Sequence, residues 1–367
     1  MSEGHQDDER LRAFRETLVR FTPRAVVTYA IITVNVGLYV VMVSTGVHGF
    51  SPEPEVLVRW GAGFGPFTAS GEWWRLLTAA FIHIGLLHLM MNMWVLFTAG
   101  PLVERLLGNT GFAVVYLLSG LLGGLASLAW NPEAVSAGAS GAVFGVFGAL
   151  AAFLVLRHRQ IPLQVLHGLR LATLIFVGFN LLFGMMHRAV DAAAHVGGLV
   201  GGFACALPLC HRFTGASWRR RWWRNLAVAV AGGGLVAGGA ALLRNDAGDL
   251  QRELDRFVVV EKRCVVRYNE ALRRLREGES TDPELAATLR RDVLPGWRAA
   301  RRRVLGFRDR KLPALYRRKL ERVSRYMELR ERGWLLFAEA LERRDKEKAA
   351  RALELQDRAE RAMERVR

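Results

Sequence analysis

Gly138-Ala139-Ser140-Gly141-Ala142-Val143-Phe144-Gly145 heads an apolar run that continues to Leu156. A serine among small residues at the mouth of such a run is a hydroxyl set where a membrane helix begins. A second stretch, Asp191-Ala192-Ala193-Ala194-His195-Val196-Gly197-Gly198, sets a histidine one turn into another apolar run. Reading both as spanning helices decides the fold, because roughly 20 apolar residues cross a hydrocarbon core of ~30 Å.

The rest of the chain repeats that pattern. Seven runs qualify as spans: 25–46, 76–98, 111–130, 140–156, 169–183, 191–210 and 225–243. The last is rich in Ala and Gly and follows Trp218, Trp222 and Trp223, which suit an interfacial belt. Beyond it the composition changes. All five lysines lie after residue 244, and 245–367 holds 33 Lys/Arg and 23 Asp/Glu, against 18 Arg and 11 Asp/Glu in 1–244. This segregation lets one chain be 51% hydrophobic and still carry a net charge of +17.

The expected fold class is therefore all-α: a polytopic membrane helix bundle with a C-terminal helical soluble domain. Residues 1–24 form a polar tail without the apolar core of a signal peptide. Residues 25–210 hold six spans, and 211–244 a basic loop with the seventh. Residues 245–367 read as a charged bundle of three or four helices, with apolar residues at three- and four-residue intervals such as Leu250, Leu254, Phe257 and Val258, and later Leu335, Leu336, Ala340 and Leu341. Pro283, Pro295 and Pro313 mark its breaks or first turns. Its arginines are interleaved with acids, the pattern of a solvated helix face, and no nucleic-acid partner is expected.

Orientation follows from arginine. With the N-terminus cytoplasmic, the inner segments and adjoining span ends hold 14 Lys/Arg, and the outer ones only Arg59, Arg75, Arg188 and Arg244. The positive-inside rule then places 245–367 outside. The seventh span is the weakest, and without it the C-terminal region would return to the cytoplasm. Three cysteines, Cys205, Cys210 and Cys264, make no disulfide framework.

Polar side chains inside spans are expensive and mark function by default. The second span carries His83, His88 and Asn92, the last two one turn apart on a shared face. Under the orientation above, His88, Asn92, Ser140 and His195 fall at similar depth toward the outer face. A serine hydroxyl needs a base to take its proton, and an imidazole is the usual one. The oxyanion of acyl transfer needs donors; the Ser140 N–H at a helix start, the Asn92 amide and His88 are candidates. Gly141/Gly145 and Gly198/Gly202 are GxxxG pairs that let spans four and six pack with backbones nearly touching, bringing Ser140 and His195 within hydrogen-bond reach. Asp191 reads as the cap of span six rather than a third catalytic residue.

Each residue also has a plainer reading. Glycine-flanked serines occur in tightly packed helices, and His195, His88 and Asn92 can tie spans together at about 0.6–2 kcal/mol per bond. Their matched depth favours a site. His83 reads as structural, holding the outer loop, and His187 as a surface residue of the 184–190 loop. Met185 and Met186 there suit either a flexible apolar lid or ordinary interfacial packing. A transporter would continue its polar groups to the inner face, and the lower halves of spans two, four and six show almost none.

At these residues the chain resembles the rhomboid intramembrane serine proteases, over roughly residues 25–210. Gly138-Ala139-Ser140-Gly141 is similar to the family's GxSG motif, which implies Ser140 as nucleophile. Ala194-His195-Val196-Gly197-Gly198 with Gly202 resembles AHxxGxxxG, implying His195 as general base. His88-Leu89-Met90-Met91-Asn92 resembles HxxxN, implying oxyanion roles for both polar residues. Trp74-Arg75 resembles the Trp-Arg pair of the first outer loop, and Gly100, Glu104 and Arg105 the turn after span two. Gly138, Gly141, Gly145, Gly198 and Gly202 are the expected packing glycines.

The resemblance implies a six-span core plus a seventh, a Ser-His dyad, no cofactor or metal, and substrates that are transmembrane proteins with a small residue before the cut. These would enter from the lipid bilayer beside span five. Phe144 stands where some members carry tyrosine. The expected cellular site is a bacterial inner membrane. The alternative is an inactive rhomboid-like protein that binds or chaperones membrane clients. The resemblance does not extend to 245–367.

Overall fold

The structure is a computed structural model that describes residues 3–186, 191–210 and 218–364. The chain divides into two compact units, Met1–Arg244 and Asn245–Arg367.

In the first unit, α1 (Glu3–Phe21) precedes the first apolar helix, α2 (Val26–Ser44). A connecting segment carries three short helices, α3 (Pro54–Trp60), α4 (Gly65–Ala69) and α5 (Arg75–Thr78), and ends in a 3-10 turn, Ala79–Phe81. Then follow α6 (Leu86–Leu107), α7 (Asn109–Trp130), α8 (Ser140–Arg157), α9 (Leu163–Met186), α10 (Ala192–Ala206) and α11 (Trp218–Leu243). Among the described residues seven helices are long and apolar enough to cross a membrane. This is a multi-pass membrane protein of helical-bundle fold.

The second span differs from its sequence reading. Its helix starts at Leu86 rather than 76 and runs to Leu107. Leu76, Ala79, Ala80 and Ile82 are apolar because they are buried in the connecting segment and do not face lipid. Gly85 turns the chain into α6 at φ +83°, where a Cβ would lie 2.2 Å from the Phe50 carbonyl oxygen. The shift places His88 and Asn92 in the first two turns of α6.

α8 is the central helix, with 72% of its apolar window buried, against 11% for α9 and for α11. Glycine makes this centre possible. A Cβ at Gly198 would come 2.0 Å from the Gly141 oxygen, and one at Gly202 2.1 Å from the Gly145 oxygen. On α7, a Cβ at Gly123 would come 2.7 Å from the Ala194 oxygen. Three helices thus meet backbone to backbone around the head of α8.

Two polar devices fix the periphery. The Glu104 carboxylate, fully buried, accepts the Val27 and Thr28 N–H groups at 2.8 Å each and the Thr28 hydroxyl at 2.6 Å. It thereby caps α2 from α6, since the residue at that helix start, Ala25, has no acceptor of its own. In the connecting segment, the buried Arg75 donates to the carbonyls of Val58 (2.6 Å) and Ala62 (3.1 Å) and to Glu72 (2.7 Å). Its guanidinium also lies 4.6 Å from the Trp74 ring centroid. A two-residue pairing of β1 (Gly63–Phe64) with β2 (Val135–Ser136), antiparallel, ties this segment to the turn that leads into α8.

The second unit is a bundle of α12 (Ala247–Arg276), α13 (Asp282–Thr288), α14 (Leu294–Leu305), α15 (Ala314–Arg343) and α16 (Lys346–Glu364). A π-helical turn, Leu289–Val293, joins α13 to α14, so four rods result. Pro283 and Pro295 sit in first turns, and Pro313 precedes α15. The core is aromatic: Trp297 packs edge-on against Trp334, Tyr326 and Phe257, and its indole N–H donates to the Met327 carbonyl. Val258, expected on the apolar face, is 54% exposed, whereas Leu250, Leu254 and Phe257 are buried.

Candidate functional site

Ser140 is the first residue of α8, and His195 lies in the first turn of α10. The Ser140 Oγ and His195 Nε2 are 3.0 Å apart, joined by a hydrogen bond between residues 55 positions apart in the chain. Three features hold the imidazole. Its ring stacks on Phe144, one turn below the serine, with centroids 4.2 Å apart and planes 12° apart. The glycine contact of α8 with α10 fixes the distance between the two backbones. Asp191 fixes the start of α10 by accepting the Ala194 N–H at 3.0 Å, while Ser136 donates to its other oxygen at 2.6 Å. Asp191 is thus a cap. His195 Nδ1 is buried with no hydrogen-bond partner among the described residues.

His88 comes to the same place from α6. Gly138 stands in the turn before α8 at φ +125°, and a Cβ there would lie 2.4 Å from His88 Cε1 and 2.9 Å from its Nε2. Gly138 is therefore not a helix-packing residue as expected. It admits the His88 ring beside the backbone leading to Ser140. Gly141, Gly145, Gly198 and Gly202 do lie in helix contacts. Asn92 is buried on the same helix, and its amide Nδ2 donates to the His88 carbonyl at 2.9 Å.

His83 lies buried in the connecting segment, and its Nε2 accepts the Ala139 N–H at 3.3 Å, tying that segment to the turn directly behind the serine. Its ring also meets His88 edge-on at 5.3 Å. Sequence offered a histidine in an apolar run but no signal for this partner, because the link depends on the fold of the 76–85 segment. Gly123, on α7, was missed for a related reason: its partner is a carbonyl, which no side-chain pattern reveals. Phe176 of α9 reaches the site through Phe144, 5.2 Å away, and stacks on Phe147 at 3.9 Å.

Ser140 and His88 are only partly buried. A cavity of about 1460 Å³ opens along the other flank of α10, lined by Pro52, Leu57, Ala126, Asp191, Val196 and Val200 but by none of Ser140, His88 and His195. Met186 is exposed. His187 and the Met185 side chain fall outside the described residues. No cluster of three His, Cys, Asp or Glu able to hold a metal ion occurs among the described residues.

A bundle of apolar, membrane-spanning helices that seats a serine hydroxyl against a buried imidazole at one end of its central helix defines a class: polytopic membrane proteins with a serine–histidine contact inside the bundle. The Rhomboid domain family model matches residues 70–212. The chain is 37% identical over 211 residues to "Rhomboid protease GluP" of Bacillus subtilis (strain 168), covering 58% of this chain and 40% of that protein. It is 35% identical to "Putative rhomboid protease YdcA" of the same organism, over 42% of this chain and 77% of that protein. It is 31% identical to "Rhomboid-like protease 3" of Toxoplasma gondii, over 43% of this chain and 59% of that protein. The chain belongs to the rhomboid family. It spans less than half the length of the first of these relatives and most of the second.

Proposed function

We propose that this protein is an intramembrane serine endopeptidase that hydrolyses peptide bonds in or beside transmembrane segments of other membrane proteins. The observation that carries the reading is the 3.0 Å contact of Ser140 Oγ with His195 Nε2. Ser140 Oγ bonds to the scissile carbonyl carbon while His195 Nε2 takes its proton. When the C–N bond breaks, the imidazolium returns that proton to the leaving amine. Water then attacks the acyl-enzyme, with His195 again as base, and the serine is released.

The negative oxygen formed in each step needs donors already in place. The Ser140 N–H at the start of α8, the His88 ring and the second Asn92 amide hydrogen serve there, and the helix start adds positive potential. Stacking on Phe144 takes the orienting role that a carboxylate has in other serine hydrolases.

The arginine distribution supports a cytoplasmic N-terminus in a bacterial inner membrane, the active site near the outer face, and 245–367 outside. Substrates are transmembrane proteins with a small residue before the cut, entering beside α9. That helix supports the route by being the loosest of the core, with Leu171, Leu174, Ile175 and Phe179 all at least 60% exposed. A model transmembrane substrate incubated in detergent with wild type and with Ser140→Ala tests the reading. Cleavage should fall by at least about 10³-fold in the variant, and labelling by a fluorophosphonate should vanish with it. A wild type that neither cleaves nor labels is an inactive family member.

A further inference from the structure

A second concave site lies at the opposite end of the first unit, where α1 ends and α7 and α11 begin. It encloses about 400 Å³, and Phe21, Arg24, Asn109, Thr110, Arg221 and Asn225 contribute to its lining. Three independent features there call for an anion. The first is an open helix start. α7 is 22 residues long, its N-cap residue is Gly108, and no side chain caps it. The N–H groups of Asn109, Thr110 and Gly111 have no acceptor among the described residues. A helix start so exposed carries positive potential and ready donors.

The second feature is unbalanced charge. Arg24 and Arg221 both line the cavity, no carboxylate does, and neither arginine forms an ion pair among the described residues. The nearby Glu104 is fully used in capping α2. Arg221 is oriented, its guanidinium 4.8 Å from the Phe21 ring centroid, and Arg24 is held by its carbonyl, which accepts from the Asn109 amide at 3.2 Å. The third is Asn225, only 7% exposed, which lines the cavity and has no hydrogen-bond partner among the described residues. Neither of its amide atoms is among the side-chain atoms sealed from solvent without a partner, so the amide opens on the cavity, where a ligand can reach it.

We propose that this cradle binds the phosphate of an anionic phospholipid headgroup. A tetrahedral phosphate offers acceptors to all three donor sets at once, and guanidinium is its best-matched partner. The location selects lipid over free phosphate. Trp222 is half exposed at the cavity edge, with its ring 4.7 Å from that of Trp223, and such belts mark the depth of headgroups. The seventh helix is thereby joined to the core through a lipid at one end, a link independent of the Ser140 site.

Native mass spectrometry of the full chain in detergent, titrated with phosphatidylglycerol, phosphatidylcholine or inorganic phosphate, tests this. Wild type should retain phosphatidylglycerol over phosphatidylcholine, and Arg24→Gln/Arg221→Gln should weaken that retention by roughly tenfold or more. Asn225→Asp supplies a carboxylate inside the cradle. It should lose phosphatidylglycerol selectivity while melting no lower than wild type in lipid-free detergent. Equal retention of both lipids, or of phosphatidylglycerol by wild type and the double variant, overturns the proposal. Displacement of the lipid by millimolar inorganic phosphate overturns the lipid assignment.

Discussion

Gly198 lies against the carbonyl of Gly141, so near that a methyl group would come 2.0 Å from its oxygen. Each of these glycines is within three residues of one member of the Ser140–His195 pair, and their contact sets how far apart the pair can be. Alanine at Gly198 must push α10 away from α8. Displacements of about 1 Å in a catalytic constellation cost on the order of 10²-fold in rate. Gly198→Ala is expected to lose at least that much cleavage. Gly233→Ala, where nothing lies within 4 Å, should leave it unchanged. Equal rates for both variants would show that glycine contact does not position the dyad.

No carboxylate bonds to His195 Nδ1 among the described residues, and its orientation rests on Phe144. Phe144→Leu keeps an apolar side chain beside Phe176 but removes the stacked face. Aromatic stacking is worth about 0.5–1.5 kcal/mol, so turnover should fall by about two- to tenfold, with substrate affinity little changed. Asp191→Asn preserves a capping side chain and should keep most activity. An orienting catalytic carboxylate would instead cost about 10⁴-fold on the same change. Steady-state rates for the two variants separate a stacked histidine from a carboxylate-held one.

Protonation of His195 removes the lone pair that receives the serine proton. Rate should therefore fall toward acid with a single-proton slope, and fluorophosphonate labelling of Ser140 should fall in parallel. A profile flat from mildly alkaline to acidic pH is incompatible with His195 as base.

Sequence carried the bundle well because spanning helices declare themselves by length and composition: spans one, three, four and six lay within four residues of their expected bounds, while α9 and α11 start six and seven residues earlier than expected. The second lay furthest off. Leu76, Ala79, Ala80 and Ile82 are as apolar as lipid-facing residues, yet they are buried in the connecting segment, and hydropathy cannot tell protein from lipid as the apolar neighbour. The Ser140–His195 contact was legible because GxxxG spacing on both helices fixes a close approach. Gly138, His83 and Gly123 were not legible in their structural roles, since each role depends on a partner brought by another element: the His88 ring, the Ala139 N–H and the Ala194 carbonyl. The helicity of residues 3–21 was equally silent. Only the packing of Phe14 and Leu18 gives that polar stretch a reason to fold.

Arg75 makes its case through the connecting segment rather than the site. Removing it strips the Val58 and Ala62 carbonyls of that donor and breaks the Arg75–Glu72 ion pair. Hydrogen bonds to a charged group contribute about 1.5–3 kcal/mol, so Arg75→Ala should lower the melting temperature measurably. It should also raise protease sensitivity within residues 45–85, while the Ser140–His195 contact itself persists. Limited proteolysis of the detergent-solubilised chain reads this directly; cleavage no faster than wild type would refute it.

Tyr326 gives the second unit an alkaline weakness. Its phenol is only 2% exposed, and burial, followed by its hydrogen bond to Glu261, pushes its pKa above the ordinary tyrosine value. A raised pKa means that the folded state holds its proton where the unfolded state gives it up. The resulting stability is complete below the unfolded value of about 10 and is lost as pH rises through the folded one. In that window one such tyrosine contributes a slope of about 1.4 kcal/mol per pH unit. Pulse proteolysis of the full chain in urea between pH 9 and 11, following the 245–367 fragment, should show wild type losing stability more steeply than Tyr326→Phe. At neutral pH the variant is the weaker protein because Glu261 has lost its donor, and the gap narrows as pH rises. Parallel pH profiles for the two proteins would mean that the Tyr326 proton is not linked to folding.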